Sequence, residues 1–99
     1  MPSERRSQVR HRTNIETLWT STSRTSTRSI VRIRDICRTG AQFEVSDPVC
    51  PGDRVRIELL TIVEGQVVYV HPTPEGKWIV GCKFDRELSE QEMKMLVRK

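Results

Sequence analysis

Arg32-Ile33-Arg34-Asp35-Ile36-Cys37-Arg38-Thr39-Gly40 is the stretch around which the chain is organised. An apolar-alternating segment, Ile30 to Ile33, runs into an acidic residue, and a glycine follows five positions later. Alternation at period two marks a strand, here Ser29 to Arg34, with Val31 and Ile33 on one face. Asp35 to Gly40 is expected to form the turn that closes it. Asp35 offers a carboxylate that only accepts hydrogen bonds. Gly40 permits either a φ > 0 turn or a close approach to the backbone.

Working outward, the same alternation recurs on both sides. Asn14 to Trp19 reads as a first strand, with Ile15, Thr17 and Trp19 on one parity. Thr20 to Ser29 is rich in Ser and Thr and reads as a long hairpin loop. Ala41 to Val45 is a third strand with Phe43 inward. Asp47-Pro48 and Pro51-Gly52-Asp53 are turn signals. Arg54 to Leu60 alternates again, with Val55, Ile57 and Leu59 inward. Glu64 to His71 is a fifth strand, Pro72 to Lys77 a loop, and Trp78 to Phe84 a sixth strand. Gly81 inside that strand marks a bend or a close backbone approach. The period then changes: Ser89 and Glu92 have the spacing of a helix capping box, and Leu88, Met93, Leu96 and Val97 form an apolar face. Six short antiparallel strands and one C-terminal helix predict a mainly-β fold, a small six-stranded barrel. Val31, Ile33, Phe43, Val55, Ile57, Val67, Val80 and Phe84 are the expected core.

The 99 residues make one domain, and a hydrophobic content of 35% suits a small closed sheet. Lys and Arg total 17 against 13 acids, and the excess is uneven. Residues 1–40 carry nine basic and three acidic side chains, a net +6, whereas residues 41–99 carry eight and ten, a net −2. A basic N-terminal half points to an anionic ligand. Arginine outnumbers lysine 13 to 4. Its planar fork pairs bidentately with phosphate or with a guanine edge, which favours specific contacts over a diffuse basic surface. The densest cluster is Arg5-Arg6-Ser7-Gln8-Val9-Arg10-His11-Arg12. Residues 1–13 are expected to be a flexible arginine-rich arm and residues 14–99 the barrel domain.

Cys37, Cys50 and Cys82 form no C-x-x-C pair, and neither His11 nor His71 lies near them in sequence, so no zinc site is indicated. No nucleophile–base set, P-loop or carboxylate pair emerges, so a binding protein rather than an enzyme is expected. The polar N-terminus has no signal-peptide pattern, and no apolar run approaches membrane-spanning length. A cytoplasmic protein with reduced thiols is expected.

Arg6-xxx-Arg10, followed after the first strand pair by Asp35-Ile36-Cys37-Arg38-Thr39-Gly40, resembles the PilZ domain family, bacterial receptor modules for cyclic dimeric GMP. Pro51-Gly52-Asp53, Gly65-Gln66-Val67-Val68-Tyr69-Val70 and Val80-Gly81-Cys82-Lys83-Phe84 before a helix also resemble that family, so the likeness extends over nearly the whole chain. The fold it implies is a six-stranded antiparallel barrel with a C-terminal helix. It implies cyclic dimeric GMP as ligand, no further cofactor, and an effector protein as partner. The residues implicated are Arg5, Arg6, Arg10, Asp35, Cys37, Gly40 and Gly81. One position departs from the pattern: the family's serine is Cys37 here.

Guanine carries acceptors at O6 and N7, which an Arg fork reaches, and donors at N1 and N2, which a carboxylate accepts. Asp35 is therefore expected to read the donor edge, with Arg6 and Arg10 on phosphate and the acceptor edge. The arm is expected to order over the ligand and change the surface that a partner meets. Two other readings stay open. A protein-interaction adaptor that binds no nucleotide would be consistent with Cys37. A general nucleic-acid binder would use the same arginines, but lacks aromatics interleaved with them.

Overall fold

Alternation of inward and outward side chains lets a sheet bury one face, and six strands here curl until the first meets the fourth. The structure, a computed structural model, describes residues 11–22 and 28–97. Its strands are β1 (His11–Ser21), β2 (Arg28–Cys37), β3 (Gly40–Val45), β4 (Arg54–Glu58), β5 (Ile62–Pro72) and β6 (Trp78–Phe84), followed by helix α1 (Glu90–Val97). All pairings are antiparallel, and the strands close into a barrel in the order β1-β2-β3-β6-β5-β4. No helix among the described residues is long and apolar enough to cross a membrane.

All eight expected core residues are buried, and Ile33, Phe43, Ile57 and Val80 have no exposed surface. Trp19 joins them, its ring 5.2 Å from that of Phe43. Leu88, Met93 and Leu96 bring the C-terminal segment into the same core. Each such side chain removed from water contributes about 1.5–3 kcal/mol.

Several boundaries differ from the sequence expectation. His11, Arg12 and Thr13, expected in the arm, are the first residues of β1. Asp35 and Cys37, expected in a turn, lie in β2, which runs on to a two-residue turn at Arg38-Thr39. The cause is a bulge. Ile33 faces Phe43 and Asp35 faces Gln42, so Arg34 is an extra residue in β2. Inward parity shifts from Val31 and Ile33 to Ile36, and burial of Ile36 outweighs the poor strand preference of aspartate. A second bulge sits in β5, where Val67 faces Cys82 and Tyr69 faces Gly81, leaving Val68 extra.

The β2–β3 turn is tied to the segment before the helix. Phe84 N–H donates to Thr39 O and Leu88 N–H to Arg38 O, both at 2.8 Å, and Arg38 Nε donates to Leu88 O at 3.1 Å.

The helix starts as its capping box predicts. Ser89 Oγ accepts from Glu92 N–H at 3.1 Å, and the Glu92 carboxylate accepts from Ser89 N–H at 2.7 Å. Arg86 places its fork on the same carboxylate at 2.9 and 3.0 Å, and Thr61 Oγ1 donates to it at 2.9 Å. The Arg86 guanidinium first, then the Ser89 and Thr61 donors, hold the Glu92 carboxyl well below the usual carboxylate range. Glu92→Gln should destabilise the fold at pH 7 by about 1.5–3 kcal/mol, the worth of hydrogen bonds to a charged group. The unfolded chain protonates Glu92 near pH 4, before the folded one does, so this stabilisation is complete above that pH and is lost as pH falls. Urea denaturation of both proteins should give a gap that is constant near neutrality and narrows below about pH 4. A gap independent of pH would show that charge on Glu92 contributes nothing.

Candidate functional site

Strand register brings residues distant in sequence into one row. Arg12 of β1 faces Asp35 of β2, Asp35 faces Gln42 of β3, Gln42 faces Gly81 of β6, and Gly81 faces Tyr69 of β5. The row crosses five of the six strands. Asp35, Gln42 and Tyr69 are half-buried, so their side chains are held yet reachable.

A groove lies on one side of Asp35, toward the β2–β3 turn. Cys37, Thr39, Gly40, Tyr69, Gly81 and Lys83 line it. Cys37 is buried, and its Sγ stands 3.5 Å from Thr39 Oγ1. Gly40 opens β3 as the partner of both Cys37 and Lys83. Its role is a close strand approach: a Cβ there would stand 2.4 Å from the backbone oxygen of Cys82. Gly81 makes room for a side chain, because a Cβ there would stand 2.1 Å from Cε2 of Tyr69. The Tyr69 hydroxyl accepts from Gln42 Nε2 at 2.8 Å. Burial pushes the Cys82 thiol up to about 12, so it stays neutral.

A basic groove lies on the other side along β2, lined by Arg12, Thr13, Asn14, Arg32, Arg34 and Glu44. Arg32 reaches Glu16 at 3.4 Å and Arg34 reaches Glu44 at 3.7 Å. Both pairs are long and their arginines are roughly half exposed, the kind that contributes least to stability. These forks can be given up to an incoming anion at little cost.

Of the residues singled out in the sequence, Cys37, Gly40 and Gly81 line one groove and Asp35 stands in the row beside it. Arg5, Arg6 and Arg10 lie outside the described residues. Sequence reasoning missed Arg12, Arg32, Arg34, Gln42, Tyr69 and Lys83 as candidates. Outward parity on an alternating strand would have found Arg32 and Gln42. Nothing in the alternation signals Tyr69, which the bulge at Val68 brings to this face.

Comparison with the curated proteins finds no match. The PilZ domain family model matches residues 4–99. That span takes in Arg5, Arg6 and Arg10 along with the closed barrel and the terminal helix. With Asp35 and Gly40 of the family's motif on the neighbouring strands β2 and β3, and Cys37 at its serine position, the chain belongs to the PilZ domain family, a family of cyclic dimeric GMP receptor modules.

Proposed function

We propose that this protein binds cyclic dimeric GMP as a second-messenger receptor and passes the signal to an effector protein. The register of β1 on β2 carries the reading. Arg12 faces Asp35 and His11 faces Ile36, so β1 begins beside the carboxylate, and Arg10 immediately precedes it in sequence. A ligand with two phosphates and two guanines needs cations and an acceptor side by side. Asp35 accepts from guanine N1 and N2, while Arg6 and Arg10, with Arg5 assisting, take phosphate and the O6/N7 edge. Arg12, Arg32 and Arg34 add positive field to the same side of the barrel. The bound arm then changes the surface an effector meets.

Calorimetric titration tests this reading. Cyclic dimeric GMP should bind and an equal concentration of GMP should not. Arg6→Ala and Arg10→Ala should each weaken binding, and amides of residues 5–10 should gain protection from hydrogen exchange in the complex. Tight binding of oligonucleotides with a steep salt dependence would replace this reading with general nucleic-acid recognition.

A nucleotide-independent adaptor is the second reading, and Cys37 favours it, because a thiol donates a weaker hydrogen bond than the serine hydroxyl of the family. Cys37→Ser should tighten cyclic dimeric GMP binding by about 1 kcal/mol, roughly fivefold. Unchanged or weaker binding would show that the side chain at 37 does not touch the ligand.

A further inference from the structure

We propose that the barrel wall around β4 is a self-association surface, on which a second copy of this chain packs face to face. Register builds an apolar row there. Ile30 of β2 faces Leu18 of β1, Leu18 faces Glu58 of β4, and Glu58 faces Ile62 of β5. All four lie on the outward parity of their strands. Ile30 is 65% exposed and Ile62 59%, and Leu60 in the turn between β4 and β5 is 51% exposed. Side chains directly opposite in a ladder interact, so Ile30 and Leu18 form one apolar surface. Large aliphatic side chains grouped on an outer face mark a contact surface. This one is remote from the row through Asp35. Leu18 is six residues from Arg12, Ile30 five from Asp35 and Ile62 seven from Tyr69, roughly 16–24 Å along each strand.

The charges around the row select the occupant. Arg28 reaches across β1 to Glu58 with two fork nitrogens, at 2.8 and 2.9 Å. Arg56 meets Glu64 at 3.1 Å, and Arg32 meets Glu16 at 3.4 Å. These three arginines and three glutamates flank the apolar row, and their charges cancel. A neutral rim gives no attraction to a nucleic acid or to an anionic membrane. The strands close into a barrel, so an extended peptide has no free edge on which to add a further strand. A second copy satisfies both conditions. In a two-fold contact the same patch serves both partners. With Arg and Glu interleaved, an arginine of one copy stands opposite a glutamate of the other, and the aliphatic rows meet between them. Packed sheets of this kind lie about 10 Å apart. The apolar area is small, so the dimer is weak, with a dissociation constant on the order of 100 μM. The row through Asp35 stays uncovered in the pair.

The test is sedimentation equilibrium of the full chain without nucleotide, from about tenfold below to about tenfold above that constant. Reducing buffer keeps the exposed Cys50 from cross-linking two chains. The apparent mass should rise from one chain toward two. A two-fold contact loses each substituted side chain twice, so Ile30→Glu and Ile62→Glu should each weaken association by roughly a hundredfold. Both side chains are exposed, so each variant should keep the parent melting temperature. Val68→Glu replaces an exposed aliphatic outside this row and should associate like the parent. Amide shifts that change on dilution of the parent should cluster at residues 17–19, 29–31 and 61–63. A parent that stays monomeric throughout the range overturns the proposal. So does parent-like association of a folded Ile30→Glu or Ile62→Glu variant, or a set of dilution shifts lying elsewhere on the barrel. Because no nucleotide is present, each of these failures leaves the receptor reading intact.

Discussion

Asp35→Ala should weaken cyclic dimeric GMP binding by roughly ten- to a hundredfold, the equivalent of about 1.5–3 kcal/mol for hydrogen bonds to a charged group. Asp35 sits in β2 between Arg12 and Gln42, so its position is set by two ladders rather than by a loop. In the proposed reading this carboxylate accepts from the N1–H and N2–H₂ donors of guanine. Cyclic dimeric AMP presents no such pair of donors, so the parent should prefer the guanine ligand strongly and Asp35→Ala should lose much of that preference. Competition titrations of both nucleotides against both proteins measure this directly. An alanine variant that keeps both affinity and preference would falsify the role given to Asp35.

Phe43→Ala should cost about 3–5 kcal/mol of stability, the range for removing a fully buried aromatic ring. Phe43 has no exposed surface, sits centrally in β3 opposite Ile33 and Val80, and tilts against Trp19. A small domain has only about 5–15 kcal/mol in total, so the loss is a large share. At about 4–8 °C per kcal/mol, the melting temperature followed by tryptophan fluorescence should fall by tens of degrees. A drop of only a few degrees would mean that the core collapses around the missing ring far more readily than its packing implies.

Much of the barrel was legible because its strands keep period two where they bury most. Val31, Ile33, Phe43, Val55 and Ile57 announce their face by spacing alone, and each is buried. Ser89 and Glu92 announced the helix start by chemistry, and the reciprocal bonds are formed. What stayed hidden follows from the bulges in β2 and β5. An extra residue in a ladder leaves no mark on composition, so Asp35 and Cys37 read as turn residues and Tyr69 was not singled out. For the candidate site, the resemblance to a known motif supplied Asp35, Cys37, Gly40 and Gly81. Register supplied Arg12, Gln42 and Tyr69, since a row across five strands exists only once the pairing is known.

The hydrogen bonds from the Arg38-Thr39 turn to Phe84 and Leu88 make the hairpin tip and the base of α1 one rigid body. The helix is then a pointer mounted on the wall of the groove. Its eight residues span about 12 Å, so a rotation of only about 10° at the hairpin carries the far end through about 2 Å. Near that end Met95 is exposed to whatever lies outside. Because Met93 and Leu96 of that helix lie in the barrel core, any such rotation has to be shared by the packing beneath it.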